Sequence, residues 1–169
     1  MAVLEILTFP DPRLRRTTTP VTEFNAELSS FIDDMFDTMY DAPGVGLAAT
    51  QVGDTRRVAV MDCGGDAPDP IVMCNPEILW QREPVDVDEG CLSVPGHTDQ
   101  VVRYKTVGFR AQDRNGAWYE CEAHDLLAQC VQHELAHLYG GLYIDQLSHL
   151  KRKRIRKRVE KTDRTDGGA

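Results

Sequence analysis

His133 and His137 stand four residues apart in the stretch Gln132-His133-Glu134-Leu135-Ala136-His137, with a glutamate directly after the first. On a helix, His137 falls about 40° around the axis from His133, and Glu134 about 100°. Imidazoles one turn apart can converge on one ion at roughly 2.0–2.1 Å, while the displaced Glu134 reaches a water beside the ion instead of the ion itself. This HExxH pattern is only moderately specific, because two core histidines can share a helical face by chance. A proteolytic zinc helix would next need a third histidine or a distant glutamate, and Leu138 to Asp145, LYGGLYID, has no histidine.

Cys91, in Glu89-Gly90-Cys91-Leu92-Ser93-Val94-Pro95-Gly96, is the better candidate for a third ligand. Gly90 allows close approach of that loop, and a thiolate completes two nitrogens and one sulfur with one position left open. Three protein ligands suit catalysis, where four suit a sealed structural site. Two alternatives stay open: Cys91 as a buried structural thiol, and Cys130 as the sulfur ligand. Cys130 lies only three residues before His133 on the same helix, and its short side chain would have difficulty meeting both imidazoles at one centre. Its expected role is packing below the site.

Several elements must position these residues. Thr22 or Asn25 can cap a helix running to about Tyr40, with Leu28, Phe31, Ile32, Met35, Phe36 and Met39 at helical period. Asp41-Ala42-Pro43-Gly44 ends it, and Gly44 to Gly53, GVGLAATQVG, shows no clear period. Residues 57–61 and 71–74 read as short strands around the Gly/Asp/Pro-rich turn 63–70. Residues 106–112 and 117–123 read as a hairpin through Asp113-Arg114-Asn115-Gly116, with the Cys91 loop before it. Helices follow over about 125–139 and from 146 or 148 to 161. The expected fold class is α+β: one domain, 1–164, with mostly antiparallel sheets around a central HExxH helix and a C-terminal helix. Residues 165–169 are expected to fray.

Three motifs together resemble the peptide deformylase family: Gly44-Val45-Gly46-Leu47-Ala48-Ala49-Thr50-Gln51, Glu89-Gly90-Cys91-Leu92-Ser93, and Gln132-His133-Glu134-Leu135-Ala136-His137. The similarity extends from about Leu4 to Lys161. It implies removal of the N-formyl group from the N-terminal formylmethionine of nascent polypeptides, with release of formate. It also implies one divalent metal on Cys91, His133 and His137, with Fe(II) the family's native ion and zinc, nickel or cobalt able to replace it. Glu134 is then the general base, and Gln51 and the Leu92 backbone N–H are oxyanion donors. The Gly46 carbonyl would hold the substrate amide. Val45, Val87, Leu92, Leu126 and Gln129 are candidates for the methionine pocket. The rival readings are a zinc metallopeptidase, a catalytically weak RNA- or ribosome-binding relative, and a deformylase specialised for unusual peptides.

Three positions depart from the family pattern. Ala136 stands where an aspartate is usual, and that acid is expected to pair with Arg103, so its loss leaves Arg103 to find another partner or face water. Gln129 replaces a branched apolar residue and, if it reaches the pocket, makes it more polar. Thr98 replaces an arginine that follows the cysteine loop in many bacterial members, with His97 a possible substitute.

Composition bounds the class. The 169 residues are 41% hydrophobic, with no continuous apolar span or signal core, so a soluble cytoplasmic protein is expected. Five cysteines without framework spacing argue against a disulfide-built fold. Of the net charge of -8, residues 151–169 carry +6 from nine Lys or Arg against three Asp or Glu, which leaves -14 elsewhere. The acidic body disfavours DNA, and the tail's apolar seam, Ile155 and Val159, is too thin for a membrane. Resemblance adds a sharper expectation: residues 151–164 lie on ribosomal RNA. A monomer is expected.

Overall fold

In the computed structural model, residues 2–167 are described, and side-chain surroundings over 2–161. Helix α1 (Ala26–Asp41) follows the predicted stripe: Leu28, Ile32, Met35, Phe36 and Met39 are buried, and the Asn25 side chain caps the helix by accepting from the Leu28 N–H at 2.9 Å. That face packs on β1 (Gly46–Ala48) and β2 (Val58–Asp62), sharing a core with Leu47, Val58 and Val60. Strands β3 (Pro70–Cys91), β4 (Val94–Gln112) and β5 (Trp118–His124) complete one antiparallel sheet in the order β1-β2-β3-β4-β5.

The strands expected over 71–74 and 106–112 are only the ends of two much longer ones. The expected loop around Cys91 is a tight turn, with Cys91 paired to Val94 and only Leu92 and Ser93 between them. Charged residues and Pro84 hide the strand period in the sequence. Cross-strand pairing supplies the hydrogen bonds, with Val85 opposite Arg103 and Val87 opposite Val101. A register shift between Gly90 and Cys91 re-aims the chain at the turn, as bulges do.

Helix α2 (Asp125–Leu138) lies on the sheet, where Ala128, Val131 and Leu138 share a core with Met61, Met73, Val107 and Phe109. Helix α3 (His149–Gly167) buries Ile155 and Val159, 2% and 4% exposed, in a third core with Val94, Val101, Leu142 and Tyr143. Half-buried Cys91 packs against the same core, so the basic helix supports the cysteine turn from behind. Residues 168–169, the end of the expected frayed tail, lie outside the described residues. Among the described residues no helix is long and apolar enough to cross a membrane.

The buried seam of α3 sets an expectation for stability. Ile155→Ala should cost about 3 kcal/mol, and Tm should fall by roughly 10 °C in thermal denaturation. Truncating the exposed Lys157 to Ala should change stability by no more than about 0.5 kcal/mol. Equal Tm values for the two variants would contradict a packed seam.

Candidate active site

The β3–β4 turn carries Cys91 to the face of α2 that bears both histidines. Cys91 Sγ lies 3.3 Å from His137 Nε2, which lies 3.1 Å from His133 Nε2. All three ligand atoms are within 4.8 Å of one another. Atoms placed about 2.0–2.3 Å from a shared tetrahedral centre stand roughly 3.3–3.7 Å apart, so this set fits one ion after small adjustment. Cys130 is not in the group; it is 5% exposed, with Sγ 3.7 Å from the Val45 carbonyl and 4.0 Å from Glu134 Oε2. It packs in the core beside Glu134 and reaches the wall of the cleft.

The charge around the cluster also fits a cation. Glu89, 4% exposed, accepts from His133 Nδ1 at 2.7 Å and from Arg103 at 3.0 and 2.6 Å. Burial alone would push the Glu89 carboxyl up, but Arg103 and His133 outweigh it and hold the group down at about 2. An ionised carboxylate only accepts, so His133 Nδ1 carries a proton, and in the neutral ring that metal binding requires Nε2 presents its lone pair to the cluster. Desolvation favours neutral His133, yet the surrounding Glu134, Cys91 and Glu89 raise it well above the ordinary range. Positive charge at this centre is therefore favoured. His137 is pushed well below the ordinary range, first by burial and then by the charge on His133, which keeps it in the neutral form that binds metal.

Glu134 is 2% exposed, and its Oε1 has no hydrogen-bond partner among the described residues. Burial raises its carboxyl to about 7, opposed by His133 and helped by Glu89. It lies against Gly46, where any Cβ would overlap the carboxylate and Cys130 Sγ. Only glycine permits that approach. The Val45 carbonyl accepts from the Asp62 N–H on β2, so in this edge strand the next carbonyl, that of Gly46, points away from β2.

Gln51 comes from the short 3-10 turn after β1. Its Oε1 accepts from the Ala48 N–H at 2.9 Å, which turns Nε2 toward Ser93 Oγ at 3.1 Å and Cys91 Sγ at 3.5 Å. Gln51, Cys91, Leu92, His133 and Glu134 all line one cleft of about 620 Å³. Val45, Leu126, Gln129 and Gly46 line it too. Val87 does not; it pairs with Val101 and packs against the core that holds Ile155 and Val159.

Of the two outcomes expected for Arg103, the first holds: it finds another partner in Glu89, which clamps it with two hydrogen bonds. His97 stacks on Tyr143 at 6.4 Å between ring centroids, with its side chain only 14% exposed. The reading of the sequence missed Glu89 as the link between Arg103 and His133, and Ser93 as a partner of Gln51. Knowledge of the hairpin register would have exposed the first: Glu89 and Arg103 share strand parity and so one sheet face.

A family model described as polypeptide deformylase matches residues 3–153. The peptide deformylase of Hahella chejuensis is 55% identical over 162 residues, 95% of this chain and 96% of that protein. The crystal structure of a peptide deformylase from Legionella pneumophila superposes with a TM-score of 0.94 at 47% identity, covering 98% of each chain. The chain belongs to the polypeptide deformylase family. The peptide deformylase from Ehrlichia chaffeensis, solved in complex with actinonin, matches at 37% identity and a TM-score of 0.94, over 97% of this chain and 99% of that one. Deformylases are metal-dependent hydrolases acting on formylated nascent peptides in protein biosynthesis, and this chain is such an enzyme. The peptidase and non-enzymatic readings find no support among these relatives.

The Glu89 clamp predicts an effect on metal binding apart from turnover. Glu89→Gln keeps the shape but removes the charge that orients His133 and neutralises Arg103. Affinity for the ion should fall roughly 10- to 100-fold in a chelator competition. Undiminished affinity would show that Glu89 does not tune the ligand.

Proposed function

We propose that Cys91, His133 and His137 hold the ion and that Glu134 moves the protons of formyl-amide hydrolysis. The observation that carries this reading is the Glu134 carboxylate, buried with one oxygen unpartnered and lining the same cleft as Cys91 and His133. When bound, the ion supplies Lewis acidity, acidifying water and polarising a carbonyl oxygen. Glu134 takes the proton from the attacking water and returns it to the departing amine, so one carboxylate serves both halves of the reaction. Gln51 Nε2 and the Leu92 N–H donate to the oxygen on which negative charge grows. The outward carbonyl of Gly46 accepts from the substrate amide, as an edge strand does when it takes up an extended peptide.

The products are formate and a free amino terminus. A formyl group has hydrogen where other acyl groups carry carbon, so a closed site accepts it and rejects them on size. Val45, Leu126 and Gln129 form the wall that receives the methionine side chain. Fe(II) is the ion we assign, on family likeness; the donor set also accepts zinc, nickel or cobalt. A monomer is the working unit we assign.

Formyl-Met-Ala-Ser should release formate and a free amine, whereas the N-acetylated peptide should not be cleaved. Glu134→Gln should lower kcat by roughly 10²- to 10⁴-fold while retaining the ion, and Cys91→Ser should weaken or change metal binding. Metal analysis after anaerobic purification reads both and identifies the ion. A fully active Glu134→Gln enzyme would remove the carboxylate from the mechanism.

We further propose that α3 contacts ribosomal RNA. Lys153, Arg154 and Lys157 are exposed, while Ile155 and Val159 face the core, so the positive charge lies on the outer face. Because the seam is structural, charge substitution is a cleaner test than truncation. Replacing these three by Gln should weaken salt-dependent ribosome binding roughly tenfold while formate release from the short peptide continues. Unchanged binding at low salt would refute the contact.

A further inference from the structure

Gln129 stands one turn before His133 on α2, half-buried in the cleft wall. Its Nε2 donates to the Asp88 carbonyl at 3.0 Å and to Glu89 Oε1 at 3.4 Å. Both partners are acceptors: one is a backbone carbonyl, and the other a carboxylate oxygen that also accepts from Arg103 Nε at 3.0 Å. Turning the amide over would place its oxygen against two others, so the orientation is fixed by chemistry. The Gln129 oxygen therefore points away from Asp88 and Glu89. It accepts no hydrogen bond among the described residues and is not among the buried unpartnered atoms, so it is accessible, on a side chain that lines the cleft. The wall beside it is largely apolar, including Val45, Leu92, Leu126 and Cys130.

We propose that Gln129 determines specificity for the residue bearing the formyl group. Its fixed carboxamide oxygen accepts a hydrogen bond from that residue's side chain. The cleft then takes formylated residues with a donor at about the length of methionine, such as glutamine, alongside purely apolar ones. The inference rests on the proposed use of this cleft for the formyl peptide. A fixed, otherwise unused acceptor in an apolar wall discriminates because it has no reorganisation to undergo, whereas a mobile one would lose much of the gain in ordering. One neutral hydrogen bond changes the relative kcat/KM by up to roughly tenfold.

The test compares formyl-Gln-Ala-Ser with formyl-norleucine-Ala-Ser, close in length, on the metal-loaded full chain. Gln129→Leu and Gln129→Met are measured beside the unaltered enzyme, and the readout is the ratio of the two kcat/KM values. That ratio should fall roughly tenfold in both variants. A merely structural role, partial misfolding or loss of metal would lower both rates together and leave the ratio where it was. An unchanged ratio in both variants overturns the proposal. If the unaltered enzyme hydrolyses norleucine peptide but the ratio does not move, only the role of Gln129 fails. If it releases formate from neither peptide nor from formyl-Met-Ala-Ser, the cleft assignment fails and this inference with it.

Discussion

The Glu89 carboxylate joins the three parts of the chain that make the site. It closes the end of β3, pairs with Arg103 on β4, and accepts from His133 and Gln129 on α2. A charge at 4% exposure is costly unless paired, and breaking such a pair typically costs about 3–5 kcal/mol. That cost resists sliding of the hairpin against the helix. A slip of one residue would turn Glu89 to the opposite sheet face and carry Cys91 away with it. The same bonds settle which nitrogen of His133 carries its proton, so packing and ligand chemistry are fixed by one group.

The helices and the histidine pair were legible because each depends on a short-range pattern. The α1 stripe repeats at helical period, and His133 and His137 share a face by spacing alone. The long hairpin was not legible, because its pairing is non-local and its charged, partly exposed stretch around Pro84 reads as loop. Three register shifts within it further scramble the period-two signal. Val87 shows the consequence. The resemblance made it a pocket candidate, but the hairpin carries it to Val101 and the core beneath α3. The three-residue β1 was hidden for a different reason, since Gly46 is chosen for close approach and not for strand propensity.

Charge segregation in the chain also has a structural side. Among the described residues, the basic side chains of α3 surround a seam of two buried aliphatic ones in the core that supports the Cys91 turn. A helix with so narrow an apolar face gains little stability alone and depends on docking. Tyr143, 2% exposed, belongs to this core and stacks on His133 at 6.2 Å. The C-terminal helix and the metal-binding face of α2 are thus separated by a single layer of side chains.

Gly46 gives the proposed reaction its geometry. With no Cβ, its backbone lies directly against the Glu134 carboxylate. The next carbonyl along β1 after Val45 faces outward, where an extended peptide can pair with it. On the proposed roles, the strand that grips the substrate amide also forms the wall of the proton-transferring group. Binding and proton transfer then share one rigid reference, and the substrate need not be aligned with Glu134 by a separate movement. A side chain at position 46 would separate them by the width of a methyl group. Because the carboxylate is buried, it could not follow the substrate outward without losing the low-dielectric surroundings that raise its basicity.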